Sequence, residues 1–169
     1  MDKGGKDVFK INLIRIDSRL IHGQVITKWL RASKAEKIII VDNFLSKDPF
    51  MSKIYMAAAP QGVTVEIYSI ESVIEALDKD IIDGNVLVLF KDVSNCYESF
   101  CKGFPMKQVQ IGGLPSAPGR TIVLRAISLD KQDVEQLKEM ESKGVNIILQ
   151  IIPENPETEF QNVIKKFKF

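Results

Sequence analysis

Five apolar side chains in succession, Val86-Leu87-Val88-Leu89-Phe90, restrict the fold more than any other stretch of the chain. Neighbouring strand residues point to opposite faces, so a strand with no polar position must be covered on both. The centre of a parallel sheet with helices on either side provides this cover. Five more short runs rich in apolar and β-branched residues read as strands: Val8 to Ile16, Lys37 to Asp42, Val63 to Ser69, Gln108 to Ile111 and Val145 to Ile152. Thr121 to Ile127 is a candidate for one short strand more. Between the runs lie helix patterns. Val25-Ile26 and Trp29-Leu30, four apart, mark one face of a helix reaching about Ala32. Asp48-Pro49 starts a second and Ser69 a third, with Val73, Ile74 and Leu77 on its apolar side. Ser94 is expected to cap a short helix holding Cys96 to Cys101. Asp130 caps one carrying Val134, Leu137 and Met140, which Gly144 ends, and Thr158 to Phe167 reads as a last helix. This alternation predicts an α/β fold, an open, doubly wound, mainly parallel sheet of about six strands with helices on both faces.

At 169 residues the chain suits one domain, from residue 8 to 169, with the polar residues 1–7 expected to be a loose tail. A net charge of +1 argues against a nucleic-acid partner. Cys96 and Cys101 have no companions at metal-ligand spacing, and one histidine cannot complete a usual zinc site, so neither metal nor cofactor is expected. There is no nucleotide-binding P-loop, and Gly112-Gly113 is followed by no third glycine of a dinucleotide fingerprint. No apolar run approaches the ~20 residues of a membrane span and no signal peptide opens the chain, so a soluble, cytoplasmic protein is expected.

The stretch with chemistry in it is Arg15-Ile16-Asp17-Ser18-Arg19-Leu20-Ile21-His22-Gly23-Gln24-Val25. It links the first strand to the first helix, where α/β sheets commonly place their sites. His22 is the only histidine of the chain. It stands three residues from Arg19 at a helix start, where free backbone N–H groups favour an anion. From these residues alone His22 is either a structural side chain or a nucleophile that carries a phosphoryl group. Arg19 is the candidate phosphate clamp, or else a solvated charge. Asp17 either orients Arg19 and the imidazole or caps the loop backbone. Arg15 adds positive field, although a strand-end surface charge is the simpler account. Gly23 lets backbone approach a phosphate, and Gln24 offers a side-chain hydrogen bond. Other predicted strand ends share this edge of the sheet: Asp42, Ser69, Lys91, Asp92, Gly112 and Gly113. Ser69 could donate to the phosphate or merely cap its helix, Lys91 could add charge, and the two glycines could form a backbone surface or a tight turn. A second reading of the loop is a non-catalytic module that binds a phosphorylated metabolite. A third is an enzyme using His22 as a general base.

The same residues carry a resemblance. Arg-Ile-Asp-x-Arg-Leu-Ile-His-Gly-Gln-Val is similar to the active-site loop of the enzyme IIB component of the mannose/fructose/sorbose class of the bacterial sugar phosphotransferase system. Ala59-Pro60-x-Gly62-Val63, Leu87 to Phe90, Val109-x-Ile-Gly-Gly113, Ala126-x-Ser-Leu-Asp130 and Lys143-Gly144-Val145 resemble further landmarks in the family's order. The resemblance implies a three-layer α/β/α fold and a phosphotransferase that accepts a phosphoryl group from enzyme IIA on His22. It also implies transfer to a sugar, be it mannose, fructose, sorbose or an amino sugar, taken up through membrane IIC and IID subunits. On that footing the protein is cytoplasmic with peripheral association to the permease. With one histidine already assigned, the IIA donor is expected on a separate chain. Two departures stand out: Ser18 where many members have a second aspartate, and Leu114 where they have methionine.

Overall fold

The fully apolar run becomes β4 (Asn85–Phe90) in the computed structural model, which describes residues 10–169. The expected tail and the expected first two residues of the opening strand lie outside the described residues. Parallel neighbours flank β4 on both sides: β1 (Lys10–Ile16) on one and β2 (Lys37–Val41) on the other. Beyond β2 lies β3 (Thr64–Tyr68), and beyond β1 lies β5 (Gln108–Ile111). The candidate strand after residue 120 is a separate antiparallel hairpin, β6 (Thr121–Leu124) with β7 (Ile127–Leu129). Two strands complete the main sheet: β8 (Asn146–Leu149) and the two-residue β9 (Thr158–Glu159), which runs antiparallel. The order is β3-β2-β4-β1-β5-β8-β9, so the fold is three-layered α/β with a mostly parallel sheet of seven strands.

Alternation along β4 sorts the two cores. Val86, Val88 and Phe90 point into the larger one, while Leu87 and Leu89 join Val25, Trp29, Ile38 and Ile40 in the smaller. The smaller core lies under a helix over residues 23–33, whose middle, Val25–Trp29, has π geometry and whose last turn is α1 (Leu30–Ser33). It also lies under α2 (Pro49–Ala57), where the Asp48 carboxylate accepts from the N–H groups of Phe50 at 3.1 Å and Met51 at 3.0 Å. The larger core lies under α3 (Ile70–Asp78), α4 (Val93–Cys101) and α5 (Lys131–Ser142). Capping boxes open α3 at Ser69 and α5 at Asp130.

Two helix expectations are corrected. Ser94 does not cap α4; Asp92, two residues earlier, accepts from Asn95 N–H at 2.8 Å, and a carboxylate meets the positive helix start better than a hydroxyl. Thr158 does not open the last helix either. It pairs with Leu149 in β9, and the helix α6 is only Phe160–Ile164, because the edge of β8 takes those residues first. No helix among the described residues is long and apolar enough to cross a membrane.

The topology sets the site. From β1 the chain leaves towards β2 on one side, whereas from β5 it leaves towards β8 on the other. The two connections part at the carboxyl ends of β1 and β5, which opens a crevice there. Leu89 anchors this arrangement from below, fully buried in the smaller core. Leu89→Ala should cost roughly 2–5 kcal/mol by loss of transfer energy and a residual cavity. Urea unfolding should show a lower midpoint with an unchanged slope.

Candidate active site

Main-chain bonds to both neighbours hold the β1 loop in the crevice. Asp17 N–H donates to Phe90 C=O at 2.9 Å, Gly112 N–H to Ile16 C=O at 2.8 Å, and Ser18 N–H to Gly113 C=O at 2.8 Å. The chain then reverses through Leu20, whose φ of 54° is left-handed. That geometry is costly for a side chain with a Cβ. It is held because Leu20 is buried in the smaller core and its N–H donates to Asp17 C=O at 2.9 Å. His22 follows at the start of the helix, its carbonyl accepting from Ile26 N–H at 3.1 Å.

Everything in the loop converges on the buried Asp17 carboxylate. Oδ1 accepts from Arg19 N–H at 3.2 Å and Arg19 Nε at 3.1 Å. Oδ2 accepts from Arg19 Nη2 at 3.2 Å and Arg15 Nη2 at 3.2 Å, and lies 3.1 Å from His22 Nε2. Burial alone would raise the Asp17 pKa. The Arg19 hydrogen bonds and the charges of Arg15 and His22 outweigh it and hold the carboxyl below its usual range. Burial pushes the His22 pKa down, more than the Asp17 charge pulls it up, so the imidazole is neutral near pH 7. A neutral ring facing a carboxylate places its proton on Nε2 and leaves the Nδ1 lone pair free. The His22 side chain is 15% exposed and that of Arg19 51%. The Asp17 fork occupies one edge of the Arg19 guanidinium and leaves the rest to solvent.

Arg15 departs from its expected role as a surface charge: it is fully buried. Its guanidinium donates to Gln110 Oε1 at 2.5 Å, Gln150 C=O at 2.8 Å and Ile151 C=O at 3.0 Å, and lies 4.7 Å from the centre of the Trp29 ring. Burial lowers its pKa to about 10, partly offset by Asp17, so it stays charged. These partners explain the glycines. A Cβ on Gly112 would stand 2.1 Å from Arg15 Nη2, and one on Gly113 would stand 3.0 Å from both Arg19 Nη2 and Asp17 Oδ1. The pair is thus a gap that admits the two guanidinium groups.

The remaining candidates divide. Gly23 and the exposed Gln24 lie in the first turn after His22, and a Cβ on Gly23 would meet nothing within 4 Å. Exposed Lys91 follows β4, which pairs with β1. Ser69 is not brought in: it follows β3, three strands from β1, and its hydroxyl is occupied by the Ser72 N–H and hydroxyl of its capping box. Asp42 is taken up by the N–H groups of Phe44 and Leu45, at 2.9 and 2.7 Å. Gln110, Trp29 and the Gln150–Ile151 carbonyls were not among the expected site residues. A glutamine between Val109 and Ile111 in a buried strand, like an arginine between Ile14 and Ile16, was the available signal. Beside Arg19 a shallow groove of about 420 Å³ opens between the loop and the β6–β7 hairpin, walled by Ser18, Leu114, Ile122 and Arg125.

An open parallel sheet with a histidine, an arginine and a buried carboxylate at its switch point matches known proteins over nearly its whole length. The family model described as the sorbose subfamily IIB component of the PTS system matches residues 11–169. The chain belongs to that family of phosphotransferase-system components. It is 30% identical over 161 residues to a sorbose-specific EIIB component of Klebsiella pneumoniae, covering 95% of this chain and 98% of that protein. The crystal structure of the IIBSor domain of the sorbose permease from the same organism superposes with a TM-score of 0.87 at 31% identity, covering 95% of this chain and 99% of that one. It is also 29% identical over 164 residues to the mannose-specific EIIAB component of Escherichia coli K12; 96% of this chain is covered, and it spans about half (51%) of that protein's length.

The carboxylate hub has measurable consequences. Asp17→Asn should cost ~3–5 kcal/mol, since it leaves Arg15 buried without its counter-charge. The Asp17 pKa is depressed in the folded state, so its contribution is complete above the unfolded value of ~3.9 and is lost as pH falls through the folded one. The stability gap between wild type and Asp17→Asn should therefore widen as pH falls through the two His22 midpoints, which lie apart, and close only below about pH 4, as Asp17 itself is protonated. By ¹⁵N NMR, His22 should titrate below ~6.5 as the Nε2–H tautomer, and Asp17→Asn should move its midpoint lower still.

Proposed function

We propose that residues 8–169 form a single IIB domain that carries a phosphoryl group on His22, working at the cytoplasmic face of a sugar permease. The donor is a IIA domain and the acceptor a sugar entering through IIC and IID membrane subunits. The observation that carries this reading is the bond between His22 Nε2 and Asp17, which leaves the Nδ1 lone pair of a partly exposed, neutral ring available. Family membership supports it, as do relatives whose names pair this fold with mannose, sorbose and fructose transport. The 169 residues hold one histidine, so the donor histidine lies outside them.

The chemistry follows from the geometry. The Nδ1 lone pair attacks phosphorus, and the new N–P bond forms as the donor's P–N bond breaks. The imidazole becomes cationic while Nε2 keeps its proton, and the Asp17 carboxylate offsets the new charge. Arg19, fixed on one edge by Asp17, turns its free N–H groups to the phosphoryl oxygens, where charge spreads as the group loosens. Backbone N–H groups at the start of the 23–33 helix add donors on the same side. In the second step a sugar hydroxyl oxygen attacks phosphorus, its proton is released, and the N–P electron pair returns to Nδ1.

Incubation with the general phosphocarrier protein and a phosphoenolpyruvate source should leave the protein unlabelled until a IIA domain is added. One acid-labile, base-stable phosphate should then appear, and His22→Ala should remove it without loss of fold. An acid-stable label, or one retained in His22→Ala, would point to other chemistry. Arg19→Gln should slow transfer in both directions by several powers of ten, ~3–5 kcal/mol, with Arg19→Lys between it and wild type. Loss of the Arg19 bonds to a buried carboxylate should lower stability by only ~1–3 kcal/mol. Transfer by Arg19→Gln within a factor of about three of wild type would remove the clamp and leave the helix start as the main stabiliser.

A further inference from the structure

Helix α2 is built inside out. Its outer stripe is Phe50, Met51, Ile54 and Ala57, continued by Ala58 just past its end and spaced three and four apart, while Ser52 and Tyr55 face the protein. Ser52 Oγ donates to Leu45 C=O at 2.8 Å and Tyr55 packs on the smaller core, so the helix is docked by its less apolar side. Phe44, just ahead of it, is 87% exposed, Phe50 72% and Ile54 48%. Of eight large exposed hydrophobic residues among those described, five fall between 44 and 56. Such a concentration marks a surface that meets an apolar phase or partner.

Charge indicates which. Lys53 lies on α2 beside the stripe and Lys47 just ahead of the helix; among the described residues neither forms an ion pair, and Lys47 feels the Glu71 carboxylate only from a distance. The one acid between residues 44 and 58, Asp48, is committed to the N–H groups that open α2. Phe44 follows β2 and so lies on the carboxyl edge of the sheet, the edge that also exposes Arg19 and Lys91. Protruding phenylalanines flanked by two lysines without ion pairs suit an anionic interface, where rings enter the acyl boundary and lysines meet headgroups. A second copy docked through a two-fold axis would instead bring four such lysines into one interface with no uncommitted acid of residues 44–58 to meet them.

We infer that the face formed by Phe44 and the outer stripe of α2 docks onto an anionic lipid bilayer, turning the His22 edge of the sheet towards the membrane. The lipid contact is independent of whether His22 carries phosphate, and it is tested without any phosphoryl donor. The full chain should sediment with vesicles of mixed phosphatidylglycerol and phosphatidylcholine, much less with phosphatidylcholine alone, and less at high salt. Phe44→Ser with Phe50→Ser should lower the partition coefficient at least about ten-fold. Lys47→Gln and Lys53→Gln should each lower it roughly five-fold. In Phe50→Trp the new indole should be quenched by brominated lipid. The proposal falls if the chain ignores anionic vesicles, if the double serine variant binds like wild type, or if the Phe50→Trp emission is not quenched. It also falls if the face proves to mediate a dimer that the serine variant dissolves, or if membrane association requires a protein in the bilayer.

Discussion

One buried carboxylate organises the loop. Asp17 has no solvent around it, yet it is held ionised, because two guanidinium groups and an imidazole N–H surround it. Each of those groups gains a fixed direction in return. Arg19 is presented edge-on, His22 is locked into one tautomer, and Arg15 is tied to the end of β8. The cost of burying these charges is met by completeness: among the described residues, one side-chain polar atom of the four residues, Arg15 Nε, is buried without a partner.

The chain's family match extends over both sheet and loop. A phosphoryl group held on nitrogen, as proposed for His22, is reactive, and the form of the site suits its transfer. It is a surface loop with one free ring nitrogen, one half-exposed cation and a shallow groove alongside. Such an open surface fits the proposed hand-over of a group between partners better than the enclosure of a substrate. The rigidity lies beneath, in the two cores divided by β4.

Much of this was legible in the residues themselves. The unbroken run from Val86 to Phe90 predicts a central strand on composition alone, and the strand-to-helix stretch holding the single histidine predicts the location of the site. Arg15 was misjudged as a surface charge because its partners, Gln110, Gln150 and Ile151, stand far along the chain and no local pattern announces them. Gly112 and Gly113 were visible as glycines, but their reason is steric and depends on side chains brought in from another strand. Ser94 lost its capping role to Asp92 since both lie within two residues of the same helix start, where short-range signals overlap. The two-residue β9 has no periodicity to read; it exists only because β8 has a free edge.

The reach of the Arg15 bonds also orders events in time. Its neutral acceptors lie 95, 135 and 136 residues downstream, so the bonds that fix it in the interior cannot form until almost the whole chain has been made. On the ribosome, β1 emerges first carrying an arginine whose counter-charge, Asp17, is two residues away but whose acceptors on β5 and beyond β8 do not yet exist. Long-range closures of this kind come late, after local helices and neighbouring strands have settled. The reactive loop is thus among the first segments synthesised and among the last assembled, and a chain interrupted before residue 151 would retain a solvated Arg15 and an unfinished site.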